Sequence, residues 1–112
     1  MRLASIVLPS CDNDGAPLDD VHASLKRRLC EAFGGYTRRA TEGGWIGPDG
    51  RLYEEPGFAY DVAVEPTPDN CNLIRAIAIA YAAMARQLAV FVMFPDGEAE
   101  IISIPDQARI AA

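Results

Sequence analysis

A strict alternation of apolar residues with small or charged ones, at positions 58–65, constrains the fold of this chain more than any other feature. The apolar members are Phe58, Tyr60, Val62 and Val64, and the residues between them are Ala59, Asp61, Ala63 and Glu65. Because successive side chains of a strand point to opposite faces, this pattern predicts a β-strand with one face against a core. The chain therefore needs further elements that cover one side of a sheet.

The segments before this strand predict a strand, a helix and another strand. Residues 3–8 form a short apolar run that is typical of a buried strand. Across residues 18–33, apolar residues recur at helical spacing until Gly34-Gly35 ends the pattern. Residues 36–41 predict the second strand.

A hairpin tip connects the second and third strands. Gly47-Pro48-Asp49-Gly50 has the composition of a turn, so Trp45-Ile46 is expected to pair with Leu52-Tyr53. We interpret the nearby Gly43-Gly44 pair as a bulge.

The second half repeats the same order of elements. Thr67 is a plausible cap for a helix that runs to about Arg86, and residues 88–94 and 99–104 predict a second hairpin, with Ile110 in a tail. The order β-α-β-β-α-β predicts an α+β, ferredoxin-like split β-α-β fold. We expect a single α+β domain over residues 1–112, with an antiparallel sheet, two helices on one face and an extra C-terminal edge strand.

Composition limits the function classes. The 112 residues include 10 Lys and Arg against 16 Asp and Glu, a formal charge of −6, which argues against nucleic acid as a partner. The most apolar stretch, residues 76–85, is too short to span a membrane, and the apolar run after Arg2 is too short for a secretory signal. These features predict a cytoplasmic protein.

The second helix is apolar on more than one face. It carries large apolar side chains with alanines between them and almost no charge across residues 70–86. Such a helix needs cover on two sides, which predicts a homodimer through residues 70–86. The alternative is that the alanines face solvent.

Cysteine and histidine usage predicts no metal site and no cofactor. Cys11, Cys30 and Cys71 have no C-x-x-C spacing, and His22 is the single histidine. We expect Cys30 and Cys71 to be small core residues of the two helices, and Cys11 to lie in a loop.

The predicted topology brings the loop over residues 9–22, the hairpin tip over residues 43–56 and the end of the second helix to one end of the sheet. Loops on a rigid scaffold are where binding sites usually form. The candidate ligand-binding residues at this end are Asp12, Asn13, Asp14, His22, Trp45, Tyr53, Glu55 and Arg86.

Several of these residues have two interpretations. Asp12-Asn13-Asp14-Gly15 either forms an Asx turn or belongs to an irregular oxygen-ligated cation site, and its spacing does not fit an EF-hand. His22 either acts as a general base or packs against the loop. Trp45 either stacks on a flat ligand or folds over the edge of the core. Glu54 and Glu55 point to opposite faces of a strand, so only one faces the site.

The chain carries a recognisable series of short motifs. They are Leu8-Pro9, Asp12-Asn13-x-Gly15, His22, Phe33-Gly34-Gly35-x-Thr37, Gly43-x-Trp45 and Gly50-Arg51-x-Tyr53-x-Glu55. This series resembles a family of small uncharacterised bacterial and mobile-element proteins. A related ferredoxin-like domain of unknown function carries a similar Gly-x-Thr, Gly-x-Trp and late Arg-Glu series, and it lacks the Leu-Pro and Asp-Asn-x-Gly opening. The resemblance implies the fold and the importance of the marked end of the sheet, and it implies no reaction.

Two functions remain open at this point. The first is a binding or interaction module for a protein or a small molecule, supported by the lack of a catalytic motif. The alternative is a small ferredoxin-like enzyme that uses His22 with Asp12, Asp14 or Glu55 in acid–base or cation-assisted chemistry.

Overall fold

A computed structural model of the chain describes residues 1–105. The elements are β1 (Arg2–Pro9), α1 (Asp19–Phe33), β2 (Thr37–Ile46), β3 (Leu52–Val64), α2 (Pro68–Met84), β4 (Ala89–Met93) and β5 (Ala99–Ser103). The five strands form one sheet in the order β2-β3-β1-β4-β5, and every neighbouring pair is antiparallel. The predicted α+β fold, with a ferredoxin-like arrangement and an extra edge strand, is confirmed. The tail around Ile110 lies outside the described residues.

The core lies between one face of the sheet and the two helices. The buried side chains include Ile6 and Leu8 from β1, Tyr60 and Val62 from β3, Val90 and Val92 from β4, Leu25 and Leu29 from α1, and Ile74 and Ile77 from α2. In each strand these residues alternate with outward ones, as the pattern at residues 58–65 predicts. On the other face of the sheet, called here the open face, no helix packs within residues 1–105.

The hairpin formed by β2 and β3 is longer and more regular than expected. Its register is continuous from Thr37↔Asp61 to Ile46↔Leu52, and both Gly43 and Gly44 take part in it. The predicted bulge is therefore wrong, because the two glycines pair one-to-one with residues of β3. The predicted turn is confirmed, since the Gly50 N–H donates to the Gly47 carbonyl at 3.0 Å.

The ends of the helices follow the expected chemistry. The Thr67 hydroxyl accepts a hydrogen bond from the Asn70 N–H at 3.2 Å, so Thr67 caps α2 as predicted. Gly34 ends α1 with φ +89°, a conformation that favours glycine. Helix α2 ends at Met84, slightly before the predicted Arg86, because Arg86 itself adopts a positive φ of 57°.

Most of the large apolar side chains of α2 are buried within the chain itself. Ile74, Ile77 and Tyr81 are buried against the sheet and α1, whereas Ala76 and Ala80 are exposed. The alternative in which the alanines face solvent therefore holds for these two alone, because Ala78, Ala82 and Ala83 are buried. None of the helices within residues 1–105 is long and apolar enough to cross a membrane.

The cysteine prediction needs one correction. Cys30 is exposed, because it stands next to Leu29 on α1 and points about 100° away from the buried side of the helix. Cys71 is half-buried and packs against the core, and Cys11 is half-buried in the loop after β1.

Candidate functional site

A cleft of about 610 Å³ opens at the end of the sheet where β1 leads into the following loop. Its walls come from β1, the loop after β1, both strands of the long hairpin, the segment that follows α2, and β4 and β5. The lining residues that matter here are Val7, Asn13, Gly43, Trp45, Glu55, Gln87, Phe91 and Ile101. The predicted convergence of these loops and strand ends is therefore found in the structure.

The structure separates the predicted site residues into two groups. Asn13, Trp45 and Glu55 line the cleft. The side chains that do not line it are Asp12, Asp14, His22, Tyr53 and Arg86, although Gln87 beside Arg86 does. Glu54 is also outside the cleft, as expected from its position next to Glu55 on a strand.

Trp45 and Tyr53 form an aromatic pair near the hairpin tip. Their ring centroids are 5.0 Å apart and the planes differ by 24°. The Tyr53 hydroxyl donates to the Asp49 carboxylate at 2.5 Å, and this bond lowers the pKa of Asp49 and raises that of Tyr53. Trp45 remains 49% exposed and does not belong to the core cluster, so it presents a ring to the cleft instead of covering the core edge.

The loop after β1 is shaped by its own hydrogen bonds. The Asp12 carboxylate accepts from the N–H groups of Asp14 and Ala16, each at 2.9 Å. This confirms the Asx-turn interpretation. The turn holds Asn13 at the cleft, while the Asp12 carboxylate is occupied by backbone donors. Among residues 1–105, no three His, Cys, Asp or Glu side chains are grouped to hold a metal ion.

His22 is buried, with 4% of its surface exposed, and both ring nitrogens have partners. Nε2 lies 2.8 Å from the Pro9 carbonyl oxygen, and Nδ1 lies 2.5 Å from the Tyr60 hydroxyl. Since a carbonyl only accepts, Nε2 carries the proton, and in the neutral ring Nδ1 accepts from Tyr60. Burial raises the pKa of Tyr60, which keeps its hydroxyl protonated as that donor. His22 thus packs against the loop, as one of its two interpretations predicts.

An ion pair between Arg39 and Asp61 lies on the open face beside the cleft. Arg39 donates to both carboxylate oxygens of Asp61, at 2.7 and 3.2 Å. The hydrogen bonds from Arg39 lower the pKa of Asp61, whose side chain is only 14% exposed. The positive charge of Arg39 and the negative charge of Asp61 cancel, so the pair adds little net charge to this face.

The apolar walls of the cleft were not identified from sequence. Phe91 and Ile101 are outward residues of β4 and β5, and they pair with each other across the two strands. The signal that identifies them is the continuous apolar run at residues 88–94, because a strand with only one buried face has no need for apolar residues at every position.

No protein-family model matches this chain, and no curated protein sequence matches it either. Among solved structures, the chain is similar to a phage SAM lyase in complex with S-methyl-5'-thioadenosine, with a TM-score of 0.69 and 16% sequence identity over 90% of this chain and 88% of that one. A phage SAM lyase in the apo state gives a TM-score of 0.62 and 16% identity, over 91% and 81% of the two chains. At this identity the likeness concerns the fold.

Proposed function

We propose that this chain is a small binding module whose cleft holds an adenosine-type ligand with a sulfonium or thioether sulfur, such as S-adenosylmethionine or S-methyl-5'-thioadenosine. The observation that carries the proposal is the charge of the cleft. Within the described residues its lining includes the acidic Glu42 and Glu55 and no basic side chain. An apolar cleft with carboxylates favours a ligand that has an apolar body and a positive charge, which S-adenosylmethionine has at its sulfonium; the uncharged S-methyl-5'-thioadenosine shares the apolar body alone.

The shape and lining of the cleft support the same class of ligand. Its volume of about 610 Å³ suits a small molecule. The half-exposed Trp45 ring offers a flat surface for a purine or for a cation. A nucleotide phosphate has no basic partner in this lining, so phosphorylated nucleotides are excluded from the proposal.

Gly43 provides a specific test of binding. A Cβ atom at Gly43 meets no heavy atom within 4 Å, so Gly43→Leu is tolerated by the fold and places a side chain in the cleft. In isothermal titration calorimetry with S-adenosylmethionine, S-methyl-5'-thioadenosine and ATP, we expect the unmodified protein to bind the first two and not ATP. Gly43→Leu is expected to lose binding, while the control Ala40→Leu, on the same strand outside the cleft, retains it. Equal binding by both variants would contradict the proposal.

Catalysis on the same ligand is a second candidate function. The specific observation is the similarity in fold to a SAM lyase, together with a carboxylate, Glu55, in the cleft. Release of S-methyl-5'-thioadenosine from S-adenosylmethionine breaks the bond between the sulfonium sulfur and the methionine Cγ, and the electron pair remains on sulfur. Either the carboxylate oxygen of the same substrate forms a new bond to Cγ as the sulfur leaves, which closes a lactone, or a base such as the Glu55 carboxylate takes a proton from Cβ and a Cβ=Cγ double bond forms. Acid–base chemistry through His22 is not part of this candidate, because both its nitrogens are engaged outside the cleft.

Chromatography separates the two candidate functions. An enzyme converts S-adenosylmethionine to S-methyl-5'-thioadenosine in proportion to time and protein, and Glu55→Gln reduces this rate while S-methyl-5'-thioadenosine still binds. A binding module retains S-adenosylmethionine unchanged.

We also propose a cytoplasmic location, which is supported by the three free thiols of Cys11, Cys30 and Cys71.

A further inference from the structure

We propose that Gln87 recognises the adenine base of the ligand in the cleft, with its Oε1 accepting a hydrogen bond from the N6 amino group of the purine. This role of Gln87 rests on the proposed function and adds to it which part of the ligand lies on which side of the cleft. It also predicts a selectivity that binding alone does not require, because the cleft distinguishes adenine from hypoxanthine.

Gln87 is a polar side chain that is almost completely buried at the wall of the cleft. Only 7% of its surface is exposed, and the residue lines the cleft. One end of its amide lies 3.0 Å from the Ala85 carbonyl oxygen. Since a carbonyl only accepts, this end is Nε2 and it donates. The orientation of the amide is thereby fixed.

The Oε1 atom of the same amide accepts from no group within residues 1–105. In that part of the chain, every fully buried side-chain nitrogen or oxygen does have a hydrogen-bond partner. The Gln87 Oε1 is therefore not sealed inside the protein, and the cleft is the space from which it can be reached. Because an acceptor in a nearly buried position costs free energy when it lacks a donor, Oε1 favours a ligand that donates to it.

The end of α2 holds Gln87 in a defined place. Its backbone N–H donates to the Ala82 carbonyl at 2.9 Å, and the Arg86 N–H donates to the Ala83 carbonyl at 3.0 Å, which is the hydrogen-bond pattern of a Schellman motif. Arg86 adopts φ +57° at the position of this motif where glycine is usual. Backbone strain of this kind is found at functional sites. Gln87 is fixed through both its backbone and its side chain, so binding has little to order there.

The lining of the cleft has an apolar side and an acidic side. Glu42 and Glu55 belong to β2 and β3. The residues that follow Gln87 in the lining are apolar, namely Leu88, Ala89, Val90 and Phe91. Because β1 lies between β3 and β4, the two sides are about 10 Å apart. The flat, neutral purine fits the apolar side, and the positive sulfonium fits the side with the carboxylates.

The chemistry of a glutamine amide matches adenine at this place. Glutamine pairs with adenine by accepting from the N6 amino group through its side-chain oxygen. Hypoxanthine carries an oxygen at the same position, so two acceptors would face each other. A ligand ammonium group is better matched by the carboxylates of Glu42 and Glu55 than by a neutral amide.

Isothermal titration calorimetry with S-methyl-5'-thioadenosine and S-methyl-5'-thioinosine tests this role, because the two ligands carry an amino group and an oxygen at purine C6. The main variant is Gln87→Met, which keeps the length of the side chain and removes the amide. The matched control is Arg86→Gly, a neighbour that does not line the cleft and at which glycine favours the same positive φ. Circular dichroism verifies that both variants fold.

We expect the unmodified chain and Arg86→Gly to bind S-methyl-5'-thioadenosine about 10-fold more tightly than S-methyl-5'-thioinosine, and Gln87→Met to bind the two within about threefold of each other. Equal affinity of the unmodified chain for both ligands would overturn the role of Gln87 and leave the proposed function standing. A preference that survives in Gln87→Met would also overturn it, since another group would then recognise the base. Binding of neither ligand would contradict the proposed function and this role together.

A second measurement needs no variant and decides the matter even where Gln87→Met does not fold. In ¹⁵N-labelled unmodified protein, the side-chain NH₂ signals of Gln87 are expected to shift more with saturating S-methyl-5'-thioadenosine than with saturating S-methyl-5'-thioinosine. Signals that stay in place with S-methyl-5'-thioadenosine, or that move equally with both ligands, would overturn the assignment of Gln87 to the adenine base.

Discussion

At the scale of single residues, His22 connects three elements of the fold, α1, β1 and β3. The residue lies in α1. Its Nε2 donates to the Pro9 carbonyl at the end of β1, and its Nδ1 accepts from the Tyr60 hydroxyl on β3. Its ring also contacts Phe58 edge-on at 5.4 Å between centroids. The residue therefore fixes the start of the loop that carries Asn13 to the cleft.

Removal of this side chain is expected to cost stability. His22→Ala leaves the Tyr60 hydroxyl and the Pro9 carbonyl without partners in a buried region, which is expected to lower the free energy of unfolding by about 2–4 kcal/mol. Urea denaturation followed by fluorescence measures the change. Asp20→Ala, at an exposed position two residues before His22 on α1, is the control and is expected to change stability little. Equal effects of the two substitutions would show that the His22 contacts contribute nothing specific.

The Arg39–Asp61 pair predicts a defined pH dependence. The folded pKa of Asp61 lies below its ordinary value of 3.8, so the pair contributes stability at neutral pH and loses it as the pH falls through the folded pKa. We expect Asp61→Asn to be less stable than the unmodified chain at pH 7, and the difference to shrink steadily in thermal melts below about pH 4. A difference that stays constant down to pH 2 would rule out the charged pair as its cause.

Residue chemistry could be predicted only in part from the sequence. The Asx turn at Asp12 and the opposite directions of Glu54 and Glu55 follow from local rules. The burial of His22 does not, because it depends on how far α1 lies from Pro9 and Tyr60, residues that are distant in sequence. The sequence left two interpretations of Trp45 open for the same reason, because the exposure of its ring depends on how far the hairpin extends past the helices.

At the scale of elements, the close approach of β1 and β3 depends on one glycine. A Cβ atom at Gly57 would lie 2.7 Å from the Leu8 carbonyl oxygen and 3.2 Å from the Pro9 Cα. Both neighbours are backbone atoms, so the two strands have to separate to make room. This part of β3 also lines the cleft.

Gly57→Ala is therefore expected to destabilise the protein by about 1–3 kcal/mol. Gly43→Ala on β2 is the matched control, because a Cβ there meets no heavy atom within 4 Å. Differential scanning calorimetry of both variants measures the effect. Similar melting temperatures for the two variants would contradict the close approach.

Helices and strands were predicted well where periodicity and caps are strong. The Thr67 cap, the Gly34 helix end and the alternation in β3 all have direct sequence signals. The extent of β2 does not, because its pairing past Thr41 depends on the partner strand and not on its own composition. The prediction of Cys30 as a core residue is wrong because membership of a helix does not show which way a side chain points: Leu29 is buried, and its neighbour Cys30 is exposed.

At the scale of the whole molecule, the sheet order β2-β3-β1-β4-β5 brings the hairpin tip, the loop after β1 and the segment after α2 around one cleft. The order of elements was sufficient to predict this convergence. The prediction of both helices on one face of the sheet already implies an open second face. The exposed apolar residues of that face, Phe91 and Ile101 among them, were not predicted, because a run of apolar residues does not show which of them stay exposed.

The most direct test of the account is an NMR titration of the ¹⁵N-labelled full chain with S-methyl-5'-thioadenosine. We predict that the backbone amides with the largest shift changes are those of Gly43, Gly44, Trp45, Glu55, Gly57 and Gln87, all of which line the cleft. The amides of Ala76 and Ala80 on the exposed side of α2 are expected to remain unchanged. Shift changes centred on α2, or none at saturating ligand, would contradict the assignment of the cleft as the binding site.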